Sequence, residues 1–182
     1  MQTLDSRAVL DFWFSDIEPA QWWKADPAFD ALVCARFGDL HRAAVQGELY
    51  AWRTDASGRL AEIIVLDQFS RNIHRGTASA FVADPMALAL AQEAVAGGHD
   101  KALPTQQCLF LYLPYMHSES TLIHEIALAL FRDLGLADNL DFELRHKAII
   151  DRFGRYPHRN AILGRTSTDE ELRFLEEPGS SF

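Results

Sequence analysis

The segment Arg145 to Asn160, RHKAIIDRFGRYPHRN, followed shortly by Leu163-Gly164-Arg165, holds the densest set of side chains able to bind charge. Six Lys/Arg residues (Arg145, Lys147, Arg152, Arg155, Arg159, Arg165) stand there against one acid, Asp151, in a chain whose net charge is −9. Guanidinium groups present rigid forks of donors that match carboxylate and phosphate. With His146 and His158 among them, the chemistry this stretch suits is the holding of a small anion. Cations near a helix C-terminus also satisfy its dipole without any ligand, which accounts for Arg152 and Arg155 beside Gly154. His158, Arg159, Asn160 and Arg165 lie past that range. They are the expected anion contacts.

Two further polar groups belong to the same reading. Asp67, Gln68, Arg71, Asn72, His74 and Arg75 follow an apolar helical stretch and run into a loop, where Arg71, Asn72 and Arg75 could clamp an anion or could hold helix carbonyls and nearby acids in a structural network. Tyr112, Tyr115, His117, Ser118 and Glu119 close one helix and open the next. Ser118 reads as the N-cap there, and His117 with Glu119 could act as an acid/base pair only if the helix begins after His117. The catalytic candidates are therefore His117, Glu119 and His158. The ligand-binding candidates are Arg71, Asn72, Arg75, Arg159, Asn160 and Arg165, with Arg71 and Arg159 as the main charges. An acidic peptide laid in a groove between helices is the alternative occupant, and an enzyme using histidine general acid/base chemistry on an anionic metabolite is the third reading.

Composition excludes several classes. An acidic chain lacks the basic face that non-specific nucleic-acid or anionic-membrane binding needs. The longest apolar run, Cys108 to Met116, contains Pro114 and is too short to cross a bilayer. The N-terminus has Asp5 and Asp11 and no basic leader, so no signal peptide is expected and the chain is placed in the cytoplasm. Cys34 and Cys108 sit in apolar helical patterns without CxxC spacing and read as buried free thiols. No metal site is expected: Glu143-Leu-Arg-His146 has the Glu-x-x-His spacing of carboxylate-bridged iron bundles but no second copy, and His124-Glu125 lacks a second histidine. No glycine-rich phosphate cradle, serine elbow or other cofactor signature is present. The oligomeric state stays open.

The elements that must position these groups are helices. Asp5 or Ser6 caps a first short one through Phe14, with Leu4, Val9, Phe12 and Trp13 available for burial. Asp26-Pro27 opens a second, on which Phe29, Leu32, Val33, Phe37, Leu40 and Val45 recur at helical spacing. Leu60 to Phe69 reads as helix, with a short buried strand as the alternative. Asp84-Pro85 repeats the cap-then-proline signature, Thr105 caps the next helix, and Pro114 kinks or ends it. Stripes then run from Leu122 to Leu134 and from Leu140 to Phe153, closed by Gly135 and Gly154. A last helix starts at Ser167 or Thr168 with Glu170 or Glu171 completing a capping box. Phe12, Trp13, Phe14, Trp22 and Trp23 read as core packing rather than a stacking platform for bases. At 182 residues the chain fits one domain, residues 1–182, able to bury roughly 70% of its unfolded surface. The expectation is an all-α bundle or hairpin array of about eight helices, with no 34-residue repeat evident.

Four strings, LDQFSRNIHRGTASAF (Leu66 to Phe81), FLYLPYMHSE (Phe110 to Glu119), IIDRFGRYPHRN (Ile149 to Asn160) and LGRTSTDEELRFL (Leu163 to Leu175), together resemble the bacterial family known as domain of unknown function 924. The resemblance runs over nearly the whole chain. It implies an all-helical fold similar to tetratricopeptide-repeat proteins, packed as antiparallel helical hairpins, and it implies no established activity. Ser120 to Glu125 departs from that family's polar, glutamine-containing turn at this point.

Overall fold

The structure, a computed structural model, describes residues 5–181, and these are helical with no β-strand among them. Leu4 lies outside the described residues. The α-helices are α1 (Ser6–Asp11), α2 (Pro27–Val45), α3 (Ala56–Ile64), α4 (Ser70–Ile73), α5 (Asp84–Ala96), α6 (Thr105–Met116), α7 (Thr121–Leu134), α8 (Ala137–Phe153) and α9 (Asp169–Leu175). Short 3-10 turns connect several of them. Two π-helical stretches, Phe12–Asp16 after α1 and Val65–Phe69 between α3 and α4, carry the chain on without a break. The strand alternative for Leu60 to Phe69 is thereby settled as helix.

Several ends are fixed by the residues expected to fix them. Asp26 accepts from the N–H groups of Ala28 and Phe29 with Pro27 behind it, and Asp55 accepts from Gly58. Thr168 accepts from Glu171 N–H while the Glu171 side chain returns to Thr168 N–H, a reciprocal box. Each such cap contributes about 1 kcal/mol. Gly154 closes α8 at φ 68°, a left-handed conformation that a side chain would strain. Gly58 is demanded by space, since a Cβ there would lie 1.9 Å from the Trp52 carbonyl oxygen.

Other expectations are corrected. Asp84 is inside the first turn of α5, with Ala83 at the cap position, because its carboxylate is taken by Arg71. The helix after His117 begins at Thr121, so Ser120 rather than Ser118 stands at the cap position. Pro114 lies within α6, which continues to Met116. On α2 the buried positions are Phe29, Val33, Phe37, His41 and Ala44, and this narrow stripe leaves Leu32 and Val45 exposed. Cys34, one residue off the stripe, is exposed rather than buried. Cys108 is buried, its Sγ 3.0 Å from the Asp100 carbonyl oxygen, and burial pushes its thiol pKa up.

Chain contacts divide the molecule into two compact units, Met1–Arg75 with Ser79–Pro114, and Gly76–Ala78 with Tyr115–Phe182. In the first, Phe12, Phe37 and Phe69 interlock with Trp13 and Phe110 at ring separations of 4.8–6.1 Å. Trp23 is exposed yet lies parallel to Phe110 at 5.8 Å. The expected aromatic core is present, with Trp23 at its edge. In the second, α7 and α8 form a helical hairpin joined by Gly135-Leu136, and Ile149, Ile150, Tyr156 and Phe174 make a buried cluster backed by Phe153.

Candidate functional site

In the second unit the chain leaving α8 is extended at Tyr156 and then folds into a 3-10 turn over Pro157–Arg159. The proline fixes its own φ and biases Tyr156 away from helix, so the Tyr156 ring is set down into the apolar cluster while His158, Arg159 and Asn160 are carried round it. The ring has no exposed surface. The Arg159 guanidinium lies over it, 4.5 Å from the centroid, with His158 at 5.5 Å, His146 at 5.7 Å and His124 at 6.3 Å. One aromatic ring thus gathers a guanidinium and three of the chain's seven imidazoles.

Glu119 ties this turn down. It accepts the Tyr156 N–H at 2.7 Å and both ends of the Arg165 fork at 2.6 and 2.9 Å. Arg165 also donates to the Tyr156 carbonyl and to Asn160 Oδ1, and Asn160 in turn donates to Ser167. Burial alone would raise the Glu119 carboxyl pKa, but the Arg165 fork, the Tyr156 N–H and the charges of Arg165 and Arg159 hold it below the ordinary carboxylate value. Glu119 is therefore ionised, and it anchors the turn.

Beneath the turn lies a chain of groups that were not among the candidate site residues. His124 Nδ1 is 2.7 Å from Glu143 Oε1, and its Nε2 is 2.9 Å from the Ser118 carbonyl oxygen and 3.2 Å from the Tyr156 hydroxyl. The Tyr156 hydroxyl donates to the Met116 carbonyl at 2.5 Å, which leaves His124 Nε2 as the proton donor of its own contacts. His146 donates Nδ1–H to the Phe142 carbonyl at 2.7 Å. Its pKa is lowered to about 3, first by burial and then by the charges of His117, His124 and His158. His146 is a neutral ring at physiological pH, and His117 and His158 stand close enough to act on it. Of the sequence candidates, His117, Glu119, His158, Arg159, Asn160 and Arg165 meet in this one neighbourhood. The signal for His146 was present in the Glu143-x-x-His146 spacing, which puts both on one face of α8. Its purpose is a buried polar network, with Glu143 joined to α7.

The rest of the basic segment is matched by acids from within the same unit. Arg155 forks onto Glu171 at 2.6 and 2.7 Å, Arg152 reaches Glu170 at 2.9 Å while lying over Phe153, and Lys147 bridges Glu125 and Asp151. Arg145 pairs with Asp141. Arg152 and Arg155, assigned above to the dipole of α8, have specific partners in the first turn of α9. The Arg155 bonds, with help from Thr168 N–H, lower the Glu171 pKa to about 2 against the effect of burial.

In the first unit Arg71 forks onto Asp84 at 3.0 and 3.1 Å and also meets Asp67 Oδ1 and the Asp67 carbonyl. Arg75 grips both oxygens of Asp30, on α2, and Asn72 donates to the same carboxylate at 2.8 Å. This is the network alternative raised from the sequence: α4 and the loop after it are fastened to α2 and α5 by paired charges. Next to it is a cavity of about 260 Å³ lined by His41, Arg42, Val45, Gln46, His74, Ser79, Val82 and Ala83. Among the described residues no group of three or more His, Cys, Asp or Glu side chains is placed to hold a metal ion, and no helix is long and apolar enough to cross a membrane.

A search of curated proteins finds no significant match. Among solved structures, a protein of unknown function from Agrobacterium tumefaciens is similar, with 41% sequence identity and a TM-score of 0.89 over 94% of this chain and 96% of that one. The family model for bacterial proteins of unknown function, DUF924, matches residues 9–179. That span contains both the Tyr156 neighbourhood and the Asp30 network, and the chain belongs to the DUF924 family.

Proposed function

We propose that the protein binds a small anionic molecule, bearing phosphate or carboxylate, at the Tyr156 neighbourhood of the second unit. The observation that supports this is the gathering of Arg159, His158, His146 and His124 about one buried ring. Arg159, a residue only 7% exposed, supplies the main charge, and a guanidinium so enclosed interacts with an anion across little water. His158 and His117, both half-buried, supply further donors at the rim. Arg165, Asn160 and Glu119 hold the turn in place. Arg71, Asn72 and Arg75 serve Asp84 and Asp30 in their own unit and are given no ligand here. The same two rim histidines favour a second reading, acid/base turnover of an anionic metabolite, in which His158 or His117 moves the proton.

The test is imidazole NMR during titration with inorganic phosphate and citrate, on the wild type and on Arg159→Ala and Arg159→Lys. A saturable shift of the His158 and His117 signals, lost in Arg159→Ala and weakened in Arg159→Lys at unchanged Tm, is the expected result. No shift in the wild type, or an Arg159→Ala variant that loses several degrees of Tm, assigns Arg159 to structure instead. An acidic peptide that moves these signals where phosphate does not would replace the small ligand with a protein partner.

A further inference from the structure

A larger cavity of the first unit plays no part in the anion reading. It encloses about 380 Å³ and is bounded by α1 with the π-helical stretch after it, by the start of α3 and by α6. Clefts that take small molecules run from about 300 to 1,000 Å³. Leu10 and Phe14, both half-buried, form its apolar wall. The Phe14 ring is held in place by Trp22 and Phe110, which meet it edge-on at 5.9 and 5.5 Å. Opposite chemistry comes from Gln107 on α6. Its side chain is half-buried and makes no hydrogen bond among the described residues, so the amide keeps two donors and an acceptor for whatever enters. Ser6, Ser15 and Ser57 add three hydroxyls that are likewise uncommitted among the described residues.

Two carboxylates and one guanidinium complete the lining, and their charges are already compensated. Arg7 Nε lies 3.5 Å from Asp11 Oδ2. Asp55 Oδ1 accepts the Gly58 N–H at 2.8 Å, at the positive end of α3. An entering anion would meet two carboxylates with the one guanidinium taken. A cation would meet Arg7 and the N-terminus of α3. What the cavity offers instead is a near-neutral set of donors and acceptors: the amide, the hydroxyls, and the second oxygens of Asp11 and Asp55. A molecule with several adjacent hydroxyls matches that set, because each hydroxyl gives one proton and accepts others. Its C–H face suits Leu10 and Phe14.

We propose that this cleft binds a small neutral polyhydroxylated molecule of the monosaccharide or cyclitol kind. Asp11 and Asp55 accept from its hydroxyls. Gln107 orients it by donating to one oxygen and accepting from its neighbour, and the serines close the rim.

The test is amide NMR of the full chain titrated separately with glucose, galactose and myo-inositol, with putrescine as the cationic control. Saturable shifts of the Gln107 side-chain amide and of the Ser15 and Ser57 backbone signals are expected with at least one of the three, with the Trp22 indole following through Phe14. Gln107→Leu keeps the volume and removes the donors, and it should weaken binding by roughly two- to tenfold. Ser57 is exposed, so Ser57→Trp fills the cleft without touching the core and should abolish binding at unchanged Tm. No saturable response to any of the three, a response that survives Ser57→Trp, or shifts confined to residues elsewhere overturns the proposal. So does a response to putrescine alone, which would make the occupant a cationic amine. Phosphate and citrate are absent and Arg159 is untouched, so the outcome is independent of the anion site.

Discussion

Glu143 and His124 share a 2.7 Å contact between two side chains with no exposed surface. Glu143 Oε2 is buried without a hydrogen-bond partner. Burial raises the Glu143 pKa. A bare oxygen of an ionised carboxylate in such a place is far more costly than the carbonyl oxygen of a protonated acid. The unpaired Oε2 and the raised pKa both favour the protonated form of Glu143. Glu143→Gln keeps a donor and should cost no more than about 1.5 kcal/mol in urea unfolding, whereas Glu143→Ala should cost roughly 3 kcal/mol or more. Equal losses would mean that the pair is ionised.

Acid stability should report on Glu171. Its folded pKa, about 2, lies below the ordinary value of 4.5, so its contribution is complete above pH 4.5 and disappears as pH falls toward 2. Glu171→Gln should lower stability by roughly 1–2 kcal/mol at pH 7 and by progressively less from pH 4.5 downward. Parallel unfolding curves at pH 7 and pH 3 would check it; a constant difference contradicts the assignment to Arg155.

His41 and His146 act in the same pH direction by a different route. Both are held neutral in the fold, at about 4 and about 3, against an ordinary value of 6.5. The unfolded chain takes up their protons first, so stability is whole above pH 6.5 and falls between 6.5 and 4, by about 1.4 kcal/mol per pH unit for each ring. Calorimetric unfolding at pH 5 in buffers of different ionisation enthalpy should show uptake of close to two protons from these rings. His146→Gln should remove about one.

Asp30 is the point at which α2, Asn72 and Arg75 are tied together. Burial alone would raise its pKa, but the bonds from Arg75 and Asn72 bring it below the ordinary value. Neighbours on one carboxylate do not act additively, and Asn72→Ala with Arg75→Ala should show a coupling of about 0.5 kcal/mol or more in a double-mutant cycle. A coupling of zero would mean that one of the two bonds is not made in solution.

What the sequence disclosed was local. Asp26-Pro27 and the Thr168/Glu171 box were readable because a cap and its partner lie within three residues of one another. The all-helical class followed from apolar spacing. What it concealed was long-range: the charge excess of Arg145 to Arg165 was visible, but Glu119, Glu125, Glu170 and Glu171, which meet that charge, lie outside the segment. His117 and Glu119, close in sequence, looked like a working pair. The bond between Glu119 and Arg165, 46 positions away, could not be read from that proximity. Tyr156 carries no charge and was not among the candidate site residues, yet its ring is the one about which Arg159, His158, His146 and His124 gather.

The π-helical stretch Val65–Phe69 has a consequence for how this chain can vary in length. A π turn accommodates one residue more than an α turn, and one residue is worth about 100° of rotation. Because both kinds of turn complete one full rotation, the extra residue is absorbed within Val65–Phe69 and Ser70, Arg71 and Asn72 still face His41, Asp84 and Asp30. A deletion of one residue between Val65 and Phe69 would let the stretch relax to ordinary helix and leave those three side chains facing their partners. An insertion or deletion of one residue in the ordinary helix of α3 would instead swing all three away at once. The π turn thus works as a buffer of chain length, and a single deletion within it should be the mildest change of length in this region.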